Sequence, residues 1–333
     1  MNYSEEKLQS KIYKENYLRG IEHIIEQRQK ESEEIRRNYI KDIVNNHEKY
    51  RAEFKKMLGW PLVDYTPEAL PPVKSELLSK EDGYNIYRMQ FEILPGLNLT
   101  GLFFKTEGNA PLVIVQHGGL GTPEFISGVY GSTDNYNDML MRVKKHNVHV
   151  FAPQLLLWSE EYEVPFDRIK IDARLKRVGS SITAIEVFGI TRVLDYFETQ
   201  TFVKNFGIVG MSYGGFYTLF TAAADTRIKA AISCSFFNKR DIIGWADWVW
   251  QNSAEKFDDA EVACLVYPRK IWTQMGNNDP LFDSKYTEES FAKIGEICPG
   301  EWAQLKIFEG VHEFYKGDEY IEELIYELEN YGV

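Results

Sequence analysis

Four short stretches carry residue types that could do chemistry together: HGG at 117–119, GMSYGG at 210–215, GNNDP at 276–280 and GVHEF at 310–314. In the second, Ser212 occupies G-x-S-x-G, a pattern too common to decide anything alone. A serine hydroxyl is a weak nucleophile and needs a base that a third group orients. Among six histidines, His23 and His47 lie in a charged N-terminal region, and His146 and His149 flank the start of an apolar run. His312 follows the last apolar run, so it is the candidate base. The acid should stand at the same kind of position. Asp279 comes first after the turn in GNNDP, with Asp283 the runner-up; either could instead cap the helix that follows. A developing oxyanion needs fixed N–H donors. The N–H of Tyr213 and one from Gly118 or Gly119 are the candidates, with His117 shaping that loop and its pocket rather than acting as a base.

Position along the chain makes these residues plausible partners. After Gly108, short apolar runs alternate with helical stretches. PLVIVQH (111–117), VHVFAPQ (148–154), FGIVGM (206–211), IKAAISCSFF (228–237), KIWTQMG (270–276) and QLKIFEG (304–310) read as strands. Helices are expected near 134–146, 180–200, 214–224, 284–297 and 318–330. That alternation implies a mostly parallel sheet covered on both faces, and sites in such sheets lie beyond the strand C-termini. HGG, Ser212, Asp279 and His312 each directly follow a strand. Between the serine's strand and its helix, Gly210 and Gly214 have a steric role, because side chains there would collide in so sharp a turn. Upstream, YNIYRMQFEIL and LTGLFFKT flank PGLN and predict an antiparallel hairpin within 72–105.

Two inserts interrupt the rhythm, at 155–178 and 238–268. They bring Trp158, Tyr162 and Phe166, and Trp245, Trp248 and Trp250, near strand ends. Aromatic faces there would either stack on a sugar, line an acyl pocket, or only close the insert onto the core. Ahead of the hairpin, apolar residues recur at helical intervals from Leu8 to Met57, around the polar stretch EQRQKESEEIRR. Two or three amphipathic helices are expected, ending at Gly59 and Pro61. They would serve as a packing extension, an arm joining a homo-oligomer, or a cap over the site. The expected division is a helical extension over 1–71 and one α/β domain over 72–333.

The 333 residues carry a net charge of −12, with 44% hydrophobic and 14% aromatic residues. Material for a large core is ample, and no basic stripe invites nucleic acid. No apolar run approaches the roughly 18 residues of a membrane span. The polar N-terminus shows no signal-peptide pattern, and three scattered cysteines fit reduced thiols, so a cytoplasmic protein is expected, without nucleic-acid or membrane partners.

Together, HGG, GMSYGG, GNNDP and GVHEF resemble the α/β-hydrolase superfamily over about 72–331. Within it, the stretch from GSSITAIEVF through IKAAISCSFF is most similar to the dienelactone-hydrolase and acetyl-xylan-esterase-like branch. The resemblance implies an α/β-hydrolase fold with a mostly parallel sheet and helices on both faces. It also implies a serine esterase acting on a small ester or acylated carbohydrate without metal or organic cofactor, through Ser212, Asp279 and His312. Two departures stand out. The dienelactone hydrolases proper typically use cysteine where this chain has Ser212, and the acetyl-xylan esterases usually carry glutamine where it has Tyr213. Rival readings are a peptidase of the prolyl-oligopeptidase type, for which the chain before the hairpin is too short to hold a propeller, and a catalytically silent binding scaffold.

Overall fold

The computed structural model describes residues 3–5, 7–131, 134–158 and 164–331. Its N-terminal part is helical: α1 spans Lys7–Tyr39 and α2 spans His47–Leu58. One helix of 33 residues runs through the polar stretch that was expected as the solvated middle of two or three helices. EQRQKESEEIRR contains only good or tolerable helix formers and no glycine or proline, so nothing in it stops propagation.

Three antiparallel strands follow, β1 (Val73–Glu81), β2 (Tyr84–Leu94) and β3 (Leu97–Thr106). The last two are the expected hairpin. β1 was not anticipated: VKSELLSKE is exposed along most of its length, so it lacks the one-sided alternation that marks a half-buried strand. Its lysines and glutamates suit a sheet edge, where they discourage pairing with other chains. β4 (Ala110–Gln116) is buried at every position, as a strand covered on both faces must be. Next come α3 (Pro123–Ile126), α4 (Met139–Lys144), β5 (His149–Pro153), α5 (Arg168–Lys176) and α6 (Ile182–Glu198). The helix expected over 134–146 is shorter, because Asn137 and Asp138 take left-handed conformations and leave only a 3-10 turn before them. The remainder alternates: β6 (Val203–Met211), α7 (Tyr213–Ala224), β7 (Ile228–Cys234), α8 (Asp259–Cys264), β8 (Lys270–Gly276), α9 (Ser284–Ile297), β9 (Ala303–Phe308) and α10 (Glu319–Asn330).

The nine described strands form one sheet in the order β1-β2-β3-β5-β4-β6-β7-β8-β9. Pairing is parallel from β5 across to β9 and antiparallel elsewhere. The chain leaves β4 for β5 on one side and then crosses to β6 on the other. This reversal opens a crevice beyond the C-termini of β4 and β6, where open α/β sheets place their sites. One face of the sheet packs on a core that includes α6, α7, α8 and α9; the other packs on α4 and α10.

α2 belongs to the first of these cores. Phe54 is fully buried, its ring 5.1 Å from that of Phe220 on α7 and 5.6 Å from that of Phe257. The hydroxyl of Ser181, at the start of α6, donates to the carbonyl of Leu58. α1 docks only by its C-terminal end, where buried Arg36 pairs with Asp258 at 2.9 Å and Glu261 at 3.0 Å. Phe54→Ala is therefore expected to cost about 3–5 kcal/mol. Chemical denaturation would read that loss. A cost near that of an exposed-residue change would mean that α2 contributes nothing to the main core.

Candidate active site

Ser212 follows β6 directly, at φ 58° and ψ −124°, and α7 begins at the next residue. A non-glycine residue at such a positive φ is strained, and the surrounding backbone holds it there. A first side-chain carbon on Gly210 would lie 2.2 Å from the carbonyl oxygen of Gly214, and one on Gly214 would lie 2.3 Å from that of Gln116. Both neighbours are backbone, so neither can yield. The Ser212 amide donates to the Cys234 carbonyl on β7 at 2.8 Å, which leaves the side chain projecting beyond the sheet edge. Its hydroxyl makes no hydrogen bond to a described residue.

A cavity of about 440 Å3 opens over this serine, and Ser212, Tyr213, Gly119, Trp158, Trp245 and His312 share its wall. His312 comes from the loop after β9 and is bound to the loop after β8: its Nδ1 lies 2.7 Å from Asp279 Oδ2. With the carboxylate as acceptor, Nδ1 carries the proton and Nε2 is left with a lone pair. The other Asp279 oxygen accepts the backbone N–H groups of Leu281 and Phe282 at 2.8 and 3.1 Å, which fixes the carboxylate. Asp283 does different work. It is exposed and caps α9, accepting the Lys285 N–H at 2.9 Å.

The candidate donors are not equivalent in the fold. Tyr213 is the first residue of α7, so its N–H has no partner within the helix. Gly119 also faces the cavity. The N–H of Gly118, however, is already bonded to the Tyr136 hydroxyl at 2.8 Å, which takes Gly118 out of a ready-made donor pair. His117 is corrected as a pocket residue. Its ring is fully buried; Nδ1 lies 2.9 Å from the Gly118 carbonyl and Nε2 accepts the Leu155 N–H at 3.0 Å. Both nitrogens hold loops, and burial pushes its pKa down to about 4.

Among the insert aromatics, Trp245 stacks on Tyr213 at 5.6 Å and Trp158 meets Tyr213 edge-on at 5.2 Å. Trp248 is corrected as a pocket residue: it is buried behind Trp245, stacked on Phe216 at 4.9 Å. Trp250 is buried too, and Phe166 lines a separate apolar cavity against α6. Tyr162 lies outside the described residues.

Beneath the cavity floor sits a charged cluster that the sequence did not disclose. Arg168 on α5 is wholly buried and binds Asp247 at 2.8 Å and Glu186 on α6 at 3.1 Å. It also donates to the Leu156 carbonyl and the Tyr217 hydroxyl. The Tyr213 hydroxyl donates to Asp247 at 3.0 Å. Burial alone would lower the Arg168 pKa, but Glu186 and Asp247 more than offset it and hold it above the ordinary arginine range. Both inserts and both helices around the serine are thereby tied together. No local pattern announces this, because the partners stand up to 79 residues apart.

Three comparisons bear on the chain. No protein-family model matches it. In sequence it is 26% identical over 274 residues to the "Putative hydrolase YtaP" of Bacillus subtilis, covering 76% of this chain and 89% of that one. Among solved structures, it is similar to a "putative acetyl xylan esterase" of Bacteroides fragilis, with TM-score 0.63, 15% identity, and 82% and 77% of the two chains covered. A glucuronoyl esterase of Solibacter usitatus gives TM-score 0.60 at 13% identity, over 84% and 91% of the chains. Acetyl xylan esterase 1 of Thermoanaerobacterium gives 0.54 at 16%, over 84% and 93%. The fold is the α/β-hydrolase fold.

Two outcomes are expected. Arg168→Met would strand two buried carboxylates and destabilise the protein by about 3–5 kcal/mol, read by denaturant unfolding; a cost near zero would deny the cluster its structural role. The neutral His117 ring is the folded form, and unfolded histidine titrates near 6.5. Between pH 6.5 and about 4 the unfolded chain therefore takes up a proton that the folded chain refuses, and acid favours unfolding. His117→Gln should flatten the fall of the melting temperature in that window; an unchanged pH slope would contradict the buried neutral ring.

Proposed function

We propose that this protein is a serine carboxylesterase that works through an acyl-enzyme on Ser212. One observation carries the reading: Ser212 and His312 line a single cavity, and Asp279 holds His312 at 2.7 Å, although the three come from separate strand ends. Similarity to proteins described as a hydrolase and as esterases supports ester hydrolysis as the reaction class.

In the proposed cycle His312 Nε2 takes the Ser212 proton as Oγ attacks the ester carbonyl. Asp279, held by two backbone N–H groups, steadies the resulting imidazolium. The tetrahedral oxyanion is received by the N–H groups of Tyr213 and Gly119, the first at the positive end of α7. His312 then returns the proton to the leaving alcohol. Water, deprotonated by the same ring, releases the acid and restores the serine. The protein's own groups balance every proton in this cycle, so it requires no cofactor.

The size and lining of the cavity favour a small substrate. About 440 Å3, walled by Trp158, Tyr213 and Trp245, suits an acetyl or short acyl ester. The indole faces would stack on the apolar side of a sugar ring, in keeping with the acetyl-xylan-esterase neighbours.

Ser212→Ala is expected to lower kcat for a p-nitrophenyl ester by on the order of 10⁶-fold, and a fluorophosphonate probe should label the parent at Ser212 alone. Undiminished turnover in that variant would end the proposal, and absent labelling would favour a silent scaffold. Asp279→Asn should cripple turnover while Asp283→Asn should not; the opposite result would reassign the acid. Acetylated sugars, longer acyl esters and short peptides assayed side by side would fix the substrate class.

A further inference from the structure

Among the described residues, the first two-thirds of α1 stand clear of the rest of the molecule. Every residue from Lys7 to Gln27 is exposed, and their described side-chain hydrogen bonds and ion pairs stay within the helix. At 1.5 Å per residue this segment reaches about 32 Å. Helices in folded proteins owe most of their stability to packing of an apolar face rather than to propensity. This one has such a face. Tyr13, Tyr17, Ile21 and Ile24 follow one another at intervals of four, four and three, flanked by Leu18 and Ile25, and all six are among the exposed large apolar residues, Tyr17 at 75%. An apolar stripe of this extent marks a contact surface.

Its charges identify the occupant. From 7 to 19, Lys7, Lys11, Lys14 and Arg19 outweigh Glu15. From 20 to 27, Glu22 and Glu26 stand without a lysine or arginine. The helix is thus basic at its outer end and acidic toward the body, and it carries its own complement. A second copy laid antiparallel sets basic half against acidic half twice, as a two-fold contact requires. A parallel copy sets like against like. At the changeover lies Gly20, with nothing near the position of a side chain. It stands three residues after Tyr17 and four before Ile24, on the same face, so the axes can approach closely where they cross. Six apolar side chains from each copy, with the stems of the flanking charges, bring the contact to roughly the 800 Å2 per partner of specific interfaces.

We infer that this protein is a homodimer joined by antiparallel pairing of the two α1 helices about a two-fold axis near Gly20. The pairing needs no residue of the candidate active site, whose cavity is lined by none of residues 1–71, so it stands or falls apart from the proposed function.

Sedimentation equilibrium of the full chain should give twice 38.7 kDa. Tyr17→Glu combined with Ile24→Glu should give the single mass with ester turnover unchanged, because neither residue lines the candidate active-site cavity. A short bismaleimide should capture Ile21→Cys as a covalent dimer, since that position lies beside the axis. It should leave Leu8→Cys uncoupled, whose two copies would sit roughly 36 Å apart; the three native cysteines are buried. A monomer up to high micromolar concentration would overturn the inference. So would Leu8→Cys coupling as readily as Ile21→Cys, which would mean a parallel pair. A monomer that instead sediments with phosphatidylserine vesicles would assign the stripe to a membrane surface.

Discussion

The molecule turns on a steric constraint: at the end of β6 three pieces of backbone pass so close that no side chain fits between them. A carbon on Gly210 would overlap the Gly214 carbonyl, and a carbon on Gly214 would overlap the Gln116 carbonyl of β4. The overlap ties the serine's turn to the end of the neighbouring strand, on which the HGG loop begins. The positive φ of Ser212 is maintained by that contact and by the hydrogen bond from its amide to the Cys234 carbonyl. Loosening the turn would lower the strain, and it would also let the hydroxyl sink toward the helix and lose the open side of the sheet.

From this point the arrangement spreads outward by hydrogen bonds. His117 bridges the HGG loop to the loop after β5, and Arg168 carries the connection on to both inserts and to α6. Charged clusters as deeply buried as Arg168, Asp247 and Glu186 contribute little net stability compared with an apolar core. Their value is geometric: the guanidinium offers donors in fixed directions, so each insert can close in one register only. Tyr213 takes part at both ends of this network, with its N–H at the serine and its hydroxyl on Asp247. The shape of the cavity and the placement of the Tyr213 N–H therefore depend on the same buried ions.

Where the sequence was legible, local physics alone sufficed. β8 and α9 are found at the residues that periodicity and capping pick out, and β4 through β9 are all where short apolar runs predict them. Elsewhere the local signal was missing or misleading. β1 is too exposed to alternate. His117 looked like a pocket residue because it adjoins two glycines; only the fold shows that both ring nitrogens are bound to backbone. Gly118 and Gly119 are equivalent in sequence, and the Tyr136 hydroxyl alone distinguishes them. Trp245 and Trp248 lie three residues apart, yet one faces the cavity and the other the core.

What the sequence determined by itself was the set of chemically able residues and their order at strand ends, because strand, turn and helix propensities act over a few residues and glycine spacing records a steric need directly. The tertiary structure decided which of those residues meet. Asp279 rather than Asp283 reaches His312, Trp158 and Trp245 rather than Trp248 face the serine, and Arg168 anchors the inserts. Each of these contacts joins residues dozens of positions apart or turns on a side-chain direction, and the only thing that sets such distances is the packing of the whole sheet.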